Sequence, residues 1–200
     1  MLVVLYGPDG AGKSTLVDGL CRETEGVQVY HFSPLILPQR PVLHERHKRV
    51  VTGRPYGARP WSPWLSSLKL LYYAFDFFIF RILIAARSLT SSTANVIVFD
   101  RYFLDFKYDK QRNRLNLSDE IIVFFYKIFV PKPDIEFYVL GDAEVISARK
   151  NEITVSEAEG LLKIYRDAAI RCSGTIINTT ENSADVCIRN FVEAINVLNK

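Results

Sequence analysis

Cysteine is scarce in this 200-residue chain. Cys21, Cys172 and Cys187 are odd in number, widely spaced and without a Cys-x-x-Cys pair, so they encode neither a disulfide framework nor a zinc site. A reducing, cytoplasmic setting is the simplest one for them. Excess charge is also lacking: 25 basic against 22 acidic residues leave a net +3, too little to mark a nucleic-acid binder. MLVVLYG runs at once into glycine with no basic residue before the apolar stretch, so it reads as a first strand and no export signal is expected. The longest apolar segment, Leu70 to Ala86, is broken by Asp76 and Arg81 and falls short of the roughly 20 apolar residues a spanning helix needs, so no membrane span is expected. Repeats and low-complexity tracts are absent. What remains, 48% hydrophobic and 24% charged over the length of one domain, is ordinary globular composition, and residues 1–200 are read as one domain.

Five short apolar stretches are present: Leu2 to Tyr6, Val27 to Phe32, Asn95 to Phe99, Ile135 to Leu140 and Thr175 to Ile177. They alternate with helical patterns near Lys13 to Glu23, Leu65 to Ser88, Ser118 to Phe129, Ala143 to Lys150, Ser156 to Arg171 and Ala184 to Leu198. This alternation predicts an α/β fold, a five-stranded parallel sheet with helices on both faces. Ser118 with Asp119 and Glu120 marks a helix start, and Pro131 and Pro133 stop that helix. The stretch Ser33 to Pro63 is irregular. It holds six of the nine prolines and six basic residues, Arg40, Arg46, Lys48, Arg49, Arg54 and Arg59, against one acid, Glu45. Such an insert is either a functional, mobile segment or a solvated surface loop.

Gly7-Pro8-Asp9-Gly10-Ala11-Gly12-Lys13-Ser14, followed by Thr15, matches G-x-x-x-x-G-K-[ST] directly after an apolar strand and at the opening of a helix. Glycines there let the backbone N–H groups converge on phosphate oxygens while the helix N-terminus adds a favourable field. Lys13 would reach the β and γ phosphates and Ser14 would offer its hydroxyl to Mg²⁺. The pattern therefore predicts ATP as co-substrate with Mg²⁺; the plain alternative is a tight turn joining strand to helix. A second apolar strand, Val96 to Phe99, ends in Asp100, at the edge where a parallel sheet places its ligand crevice. Asp100 would hold the metal through water, and Arg101 would pair bidentately with a phosphate. Alternatively, Asp100 and Arg101 cap a neighbouring helix and pair with each other.

GPDGAGKST, the Asp100-Arg101-Tyr102 triplet and KPDIEFYVLGDAEVISARK together resemble the thymidylate kinase family of nucleoside monophosphate kinases. The resemblance implies a three-layer P-loop kinase fold that transfers the ATP γ-phosphoryl group to the phosphate of a nucleoside monophosphate. It further implies that Asp9 faces the acceptor sugar, that Arg101, with Tyr102 beside it, grips the acceptor phosphate, and that Arg149, at the entrance of a short lid over residues 149–157, balances charge on the transferred group. Lys13, Asp100, Arg101 and Arg149 are then the catalytic set. Gly10 stands after Asp9 where an arginine is absent, the bacterial-type arrangement. The helix over 65–88 would join two copies in a homodimer.

Several positions depart from the family pattern. His31-Phe32-Ser33-Pro34 replaces an arginine-glutamate-proline motif, Asp76 stands at the position of a base-reading arginine, and the run Lys107 to Arg114 lacks a tyrosine-glutamine pair. A carboxylate at 76 accepts hydrogen bonds where an arginine donates them. The acceptor therefore stays open among a nucleoside monophosphate, a sugar or glycan intermediate, and a nucleoside whose base amino group Asp76 reads. A non-catalytic ATP-binding module is the remaining alternative. Of the aromatics from Tyr72 to Phe80, core packing or a dimer interface is favoured over base stacking; Trp61 and Trp64 either stack at the acceptor edge or anchor a loop. His31, His44 and His47 have no metal-ligand spacing. Ile177-Asn178-Thr179-Thr180 either lays adenine against its backbone, with Thr179 in contact, or makes a simple β-to-α turn.

Overall fold

The computed structural model describes residues 1–38, 59–90, 96–150 and 153–198. Arg40, Arg46, Lys48, Arg49 and Arg54, the histidines His44 and His47, and Asn151 and Glu152 of the expected lid lie outside the described residues.

Five strands form one parallel sheet in the order β2-β3-β1-β4-β5: β1 (Leu2–Tyr6), β2 (Gln28–His31), β3 (Ile97–Asp100), β4 (Ile135–Leu140) and β5 (Thr175–Asn178). The α/β class and strand count are those expected from the sequence. Every residue of β1 is buried, the signature of a central parallel strand covered on both faces and the reason LVVLY reads as an unbroken apolar run. Register pairs Leu5 with Asp100 on one side of β1, Tyr6 with Tyr138 on the other, and His31 with Asp100 across β2 and β3.

The chain forms two compact units. One comprises Met1–His31, Thr93–Tyr102 and Pro133–Lys200, and the other Phe32–Ser92 and Phe103–Lys132. The first holds the whole sheet together with α1 (Lys13–Glu23), α6 (Ala143–Lys150), α7 (Val155–Cys172) and α8 (Ala184–Leu198). There α1 packs on α8 and α7 on α6 and β4, and a Phe137–Phe191 ring contact at 4.7 Å ties β4 to α8. Helix α7 opens with a capping box: the Thr154 hydroxyl oxygen accepts the Glu157 N–H, and the Glu157 carboxylate accepts the Thr154 N–H at 2.7 Å.

The second unit is built on α2 (Pro63–Thr90) with α3 (Asp105–Tyr108), α4 (Lys110–Asn113) and α5 (Asp119–Phe129). Proline at the first position of α2 carries no N–H to leave unsatisfied, which explains a start two residues before the expected one. Leu70, Ala74 and Phe77 are buried at helical spacing, and Phe77 meets Phe103 edge-on at 5.8 Å. The opposite stripe, Leu68, Leu71, Phe75, Phe78 and Ile82, is exposed. The short helices α3 and α4 carry too few turns to leave a periodic pattern; Asp109 caps α4 by accepting the Arg112 N–H at 3.1 Å. Among the described residues no helix is long and apolar enough to cross a membrane.

Candidate nucleotide-binding site

Beyond Tyr6 the chain must turn sharply from strand into helix, and three glycines permit it. Gly7 has φ 150, and a Cβ there would stand 2.3 Å from the Val139 carbonyl oxygen of β4, so only glycine lets the loop start against that strand. Gly10 (φ 86) and Gly12 (φ 94) hold left-handed backbone, and Gly12 enters α1 without a side-chain cap. The first N–H groups of α1 are thus offered to an anion rather than to a capping side chain. Lys13 is buried, and its ammonium donates to the carbonyls of Gly7 (2.9 Å) and Pro8 (2.8 Å), lying along the loop it serves. Ser14 and Thr15 face solvent at the start of α1.

Two neighbouring segments fasten this loop. The Thr179 hydroxyl donates to the Ala11 carbonyl at 2.8 Å, with the Leu140 carbonyl 3.2 Å away, so the β5–α8 turn is tied to the loop from one side. In the same turn Asn178 Oδ1 accepts from the Thr180 N–H at 3.1 Å and hydroxyl at 2.9 Å, the turn chemistry of an Asx residue. Arg149, in the last turn of α6 and exposed, donates to the Gly10 carbonyl at 3.2 Å, which brings the expected lid-entrance cation to the loop.

Arg101 follows β3 with φ 72, a left-handed conformation uncommon for a side chain of this size. Its N–H donates to the Leu5 carbonyl at 2.9 Å. Its guanidinium donates to Asp9 at 2.7 Å, with both side chains buried. Arg101 therefore pairs not with its neighbour Asp100 but with a residue of the phosphate loop 92 positions away. Asp100 has one oxygen 3.5 Å from His31 Nδ1, while its Oδ1 is buried with no hydrogen-bond partner. A buried carboxylate oxygen of this kind suits a hydrated cation. Among the described residues no cluster of three or more His, Cys, Asp or Glu is present to hold a metal by itself.

Two residues expected to meet the acceptor are buried. Tyr102 is fully buried with its ring edge-on to Phe99 at 4.9 Å. Asp76, in the other unit, is also fully buried, and its oxygens accept from the N–H groups of Leu35, Ile36 and Leu37. There it serves the main chain of its own unit. The Asp9–Arg101 pair, the His31–Asp100 approach and the Thr179 tie were not legible beforehand; only the parallel register, which sets His31 opposite Asp100, carried a trace of one of them.

No protein-family model matches the sequence, and no curated protein matches it. Solved structures do. The chain is similar to a thymidylate kinase from Candida albicans with a TM-score of 0.65 and 16% identity, over 99% of this chain and 92% of that one. It is similar also to a deoxyadenosine kinase from M. mycoides, solved with dCMP and a flexible dCDP as products, with a TM-score of 0.58 and 17% identity over 98% of this chain and 100% of that one. The chain therefore shares the fold of these two kinases, a five-stranded parallel sheet with helices.

Proposed function

We propose that this protein is an ATP-dependent phosphotransferase that moves the γ-phosphoryl group to a nucleoside monophosphate-like acceptor. The observation that carries the reading is the Asp9–Arg101 pair: a buried guanidinium beyond β3 is aimed at, and fastened to, the loop whose amides would face a triphosphate. Arg101 uses one of its five N–H donors on Asp9 in this bond, and its planar fork suits the phosphate of an acceptor.

In this reading the amides entering α1 and the Lys13 ammonium take the β and γ phosphates. An acceptor phosphate oxygen attacks the γ phosphorus in line, the bond from that phosphorus to the β–γ bridging oxygen breaks, and ADP leaves with the electron pair. A phosphate acceptor needs no general base near neutral pH. Charge spreads over the equatorial oxygens, so what the protein supplies is position and cations, here Lys13, Arg101 and Arg149. The Ser14 hydroxyl and Asp100 Oδ1 would hold Mg²⁺, which when bound neutralises charge across the β and γ oxygens.

The two similar structures support the class, one being a thymidylate kinase and the other a deoxyadenosine kinase with dCMP and dCDP bound. The second of them favours an alternative, a nucleoside hydroxyl as acceptor. ADP release measured with nucleosides, their 5′-monophosphates and sugar phosphates separates the two. Turnover with monophosphates is expected; turnover with nucleosides alone overturns the acceptor assignment, and none with any acceptor leaves an ATP-binding module. Arg149→Ala should lower turnover by about 10³-fold or more while ATP binding changes little, whereas Lys13→Ala should weaken both.

We also place a second copy of the chain on α2. Leu68, Leu71, Phe75, Phe78 and Ile82 are exposed at alternating spacings of three and four, the pattern of a helix seam that packs on another helix. A dimer in solution that Phe75→Glu converts to monomer is the expected result, and a wild-type monomer at micromolar concentration would refute it.

A further inference from the structure

We propose that Thr179 is a positioning residue for the phosphate chain of the nucleotide, acting through the peptide between Ala11 and Gly12; the proposal rests on the nucleotide-binding part of the reading above. Both donors of Thr179 are committed inside the protein. Its N–H donates to the Leu140 carbonyl at 3.0 Å. Its hydroxyl donates to the Ala11 carbonyl at 2.8 Å, with the Leu140 carbonyl 3.2 Å away. Nothing on this residue is left to donate to a base.

The hydroxyl bond matters for what lies on the other edge of the same peptide. Glycine on each side of Ala11 lets the backbone there take more than one orientation, so a partner outside the loop selects among them. In a trans peptide the C=O and N–H point in opposite directions, and holding the Ala11 carbonyl turns the Gly12 N–H away from Thr179. Gly12, at φ 94, is the residue that enters α1, and its N–H is one of the amides that would take a phosphate oxygen. Ala11 is fully buried, so a carbonyl there without its partner would be penalised.

The strap is itself anchored. The Thr180 hydroxyl oxygen accepts the Asp142 N–H at 3.0 Å. Asp142 Oδ1 in turn caps α6, accepting the N–H groups of Glu144 at 2.9 Å and Val145 at 3.2 Å. That helix ends in Arg149, which holds the Gly10 carbonyl. Two consecutive loop carbonyls, Gly10 and Ala11, are thus held from outside the loop by segments of the same unit. A loop ordered before its ligand arrives receives it at lower cost. Thr179 therefore sets how tightly phosphates are held and is indifferent to the nucleoside that carries them.

Thr179→Val keeps the shape of the side chain and removes its hydroxyl. In calorimetry the affinity for inorganic tripolyphosphate, a phosphate chain with no nucleoside, should fall about tenfold, and the affinity for ATP by the same factor. Thr179→Ser retains the hydroxyl and should recover most of that loss. A loss confined to ATP shows that Thr179 meets the nucleoside directly and overturns the proposal, as do unchanged affinities for both ligands or a loss that serine does not recover. If Thr179→Val fails to fold, Thr179→Ala removes the same hydroxyl with room to spare, and an equal loss for the two ligands is expected of it. A wild-type chain that binds ATP but turns over no acceptor defeats the kinase reading and leaves this role standing. One that binds neither tripolyphosphate nor ATP defeats both.

Discussion

Replacing Asp9 by asparagine removes a charge and almost nothing else. In the folded chain the Asp9 carboxylate lies 2.7 Å from Arg101 Nη2, with side-chain exposures of 10% and 7%. Arg101 also holds a left-handed backbone at φ 72, a conformation that costs about 1–3 kcal/mol and persists only where the surroundings impose it. Removing one partner of a buried pair costs about 3–5 kcal/mol, so Asp9→Ala belongs in that range. Asparagine still offers an acceptor oxygen, so only the charged part of the bond is lost, about 1.5–3 kcal/mol. For a chain of this size each kcal/mol moves Tm by about 2–4 °C, which places the Asp9→Asn variant about 3–12 °C below wild type. A double-mutant cycle with Arg101→Met isolates the pair, with a coupling of about 0.5–3 kcal/mol expected. Added phosphate should recover more stability in the variant than in the wild type, since a bound anion restores the missing negative charge. A variant that melts as the wild type does, with no coupling in the cycle, would show that Arg101 is held by other groups and that the loop does not aim it.

Gly7→Ala puts a methyl 2.3 Å from the Val139 carbonyl oxygen in backbone that alanine rarely adopts, so the loop must leave β4. Loss of ATP binding by calorimetry, with the far-ultraviolet spectrum retained, is the expected outcome. Burial pushes the Cys187 thiol up from its ordinary value, whereas Cys21 and Cys172 are exposed. A thiol reagent should therefore titrate two cysteines promptly and the third only on unfolding. Because the unfolded Cys187 ionises at lower pH than the folded one, its contribution to stability is intact below the ordinary thiol value and is lost as pH rises through the folded one. Cys187→Ala should remove that part of the alkaline slope in urea melts.

Much of the frame was legible. β1 and β4 are unbroken apolar runs and occupy the residues expected of them, and α1, α6 and α8 begin and end as their patterns indicate. β3 runs to Asp100, the carboxylate expected at its end, because pairing in register with Leu5 carries the ladder through the polar residue. β2 ends one residue early, as Phe32 turns out of the strand to stack on Tyr73. The loop and its lysine follow from local spacing. The Asp9–Arg101 pair does not, since two residues 92 apart meet only through strand order. A ligand-facing role is expected of Asp76 because it stands at the position of a base-reading arginine in the resembling family, and a lone acid in an apolar helix demands a partner. The pattern along a chain does not say whether that partner is a substrate or the N–H groups of a segment some 40 residues earlier, which must themselves be satisfied.

All five strands and the phosphate loop belong to one unit, and the other is made of two excursions, leaving after β2 and after β3 and each returning to the next strand. Such wiring lets a lineage rewrite the two excursions without disturbing the glycines of the loop or the strands behind it.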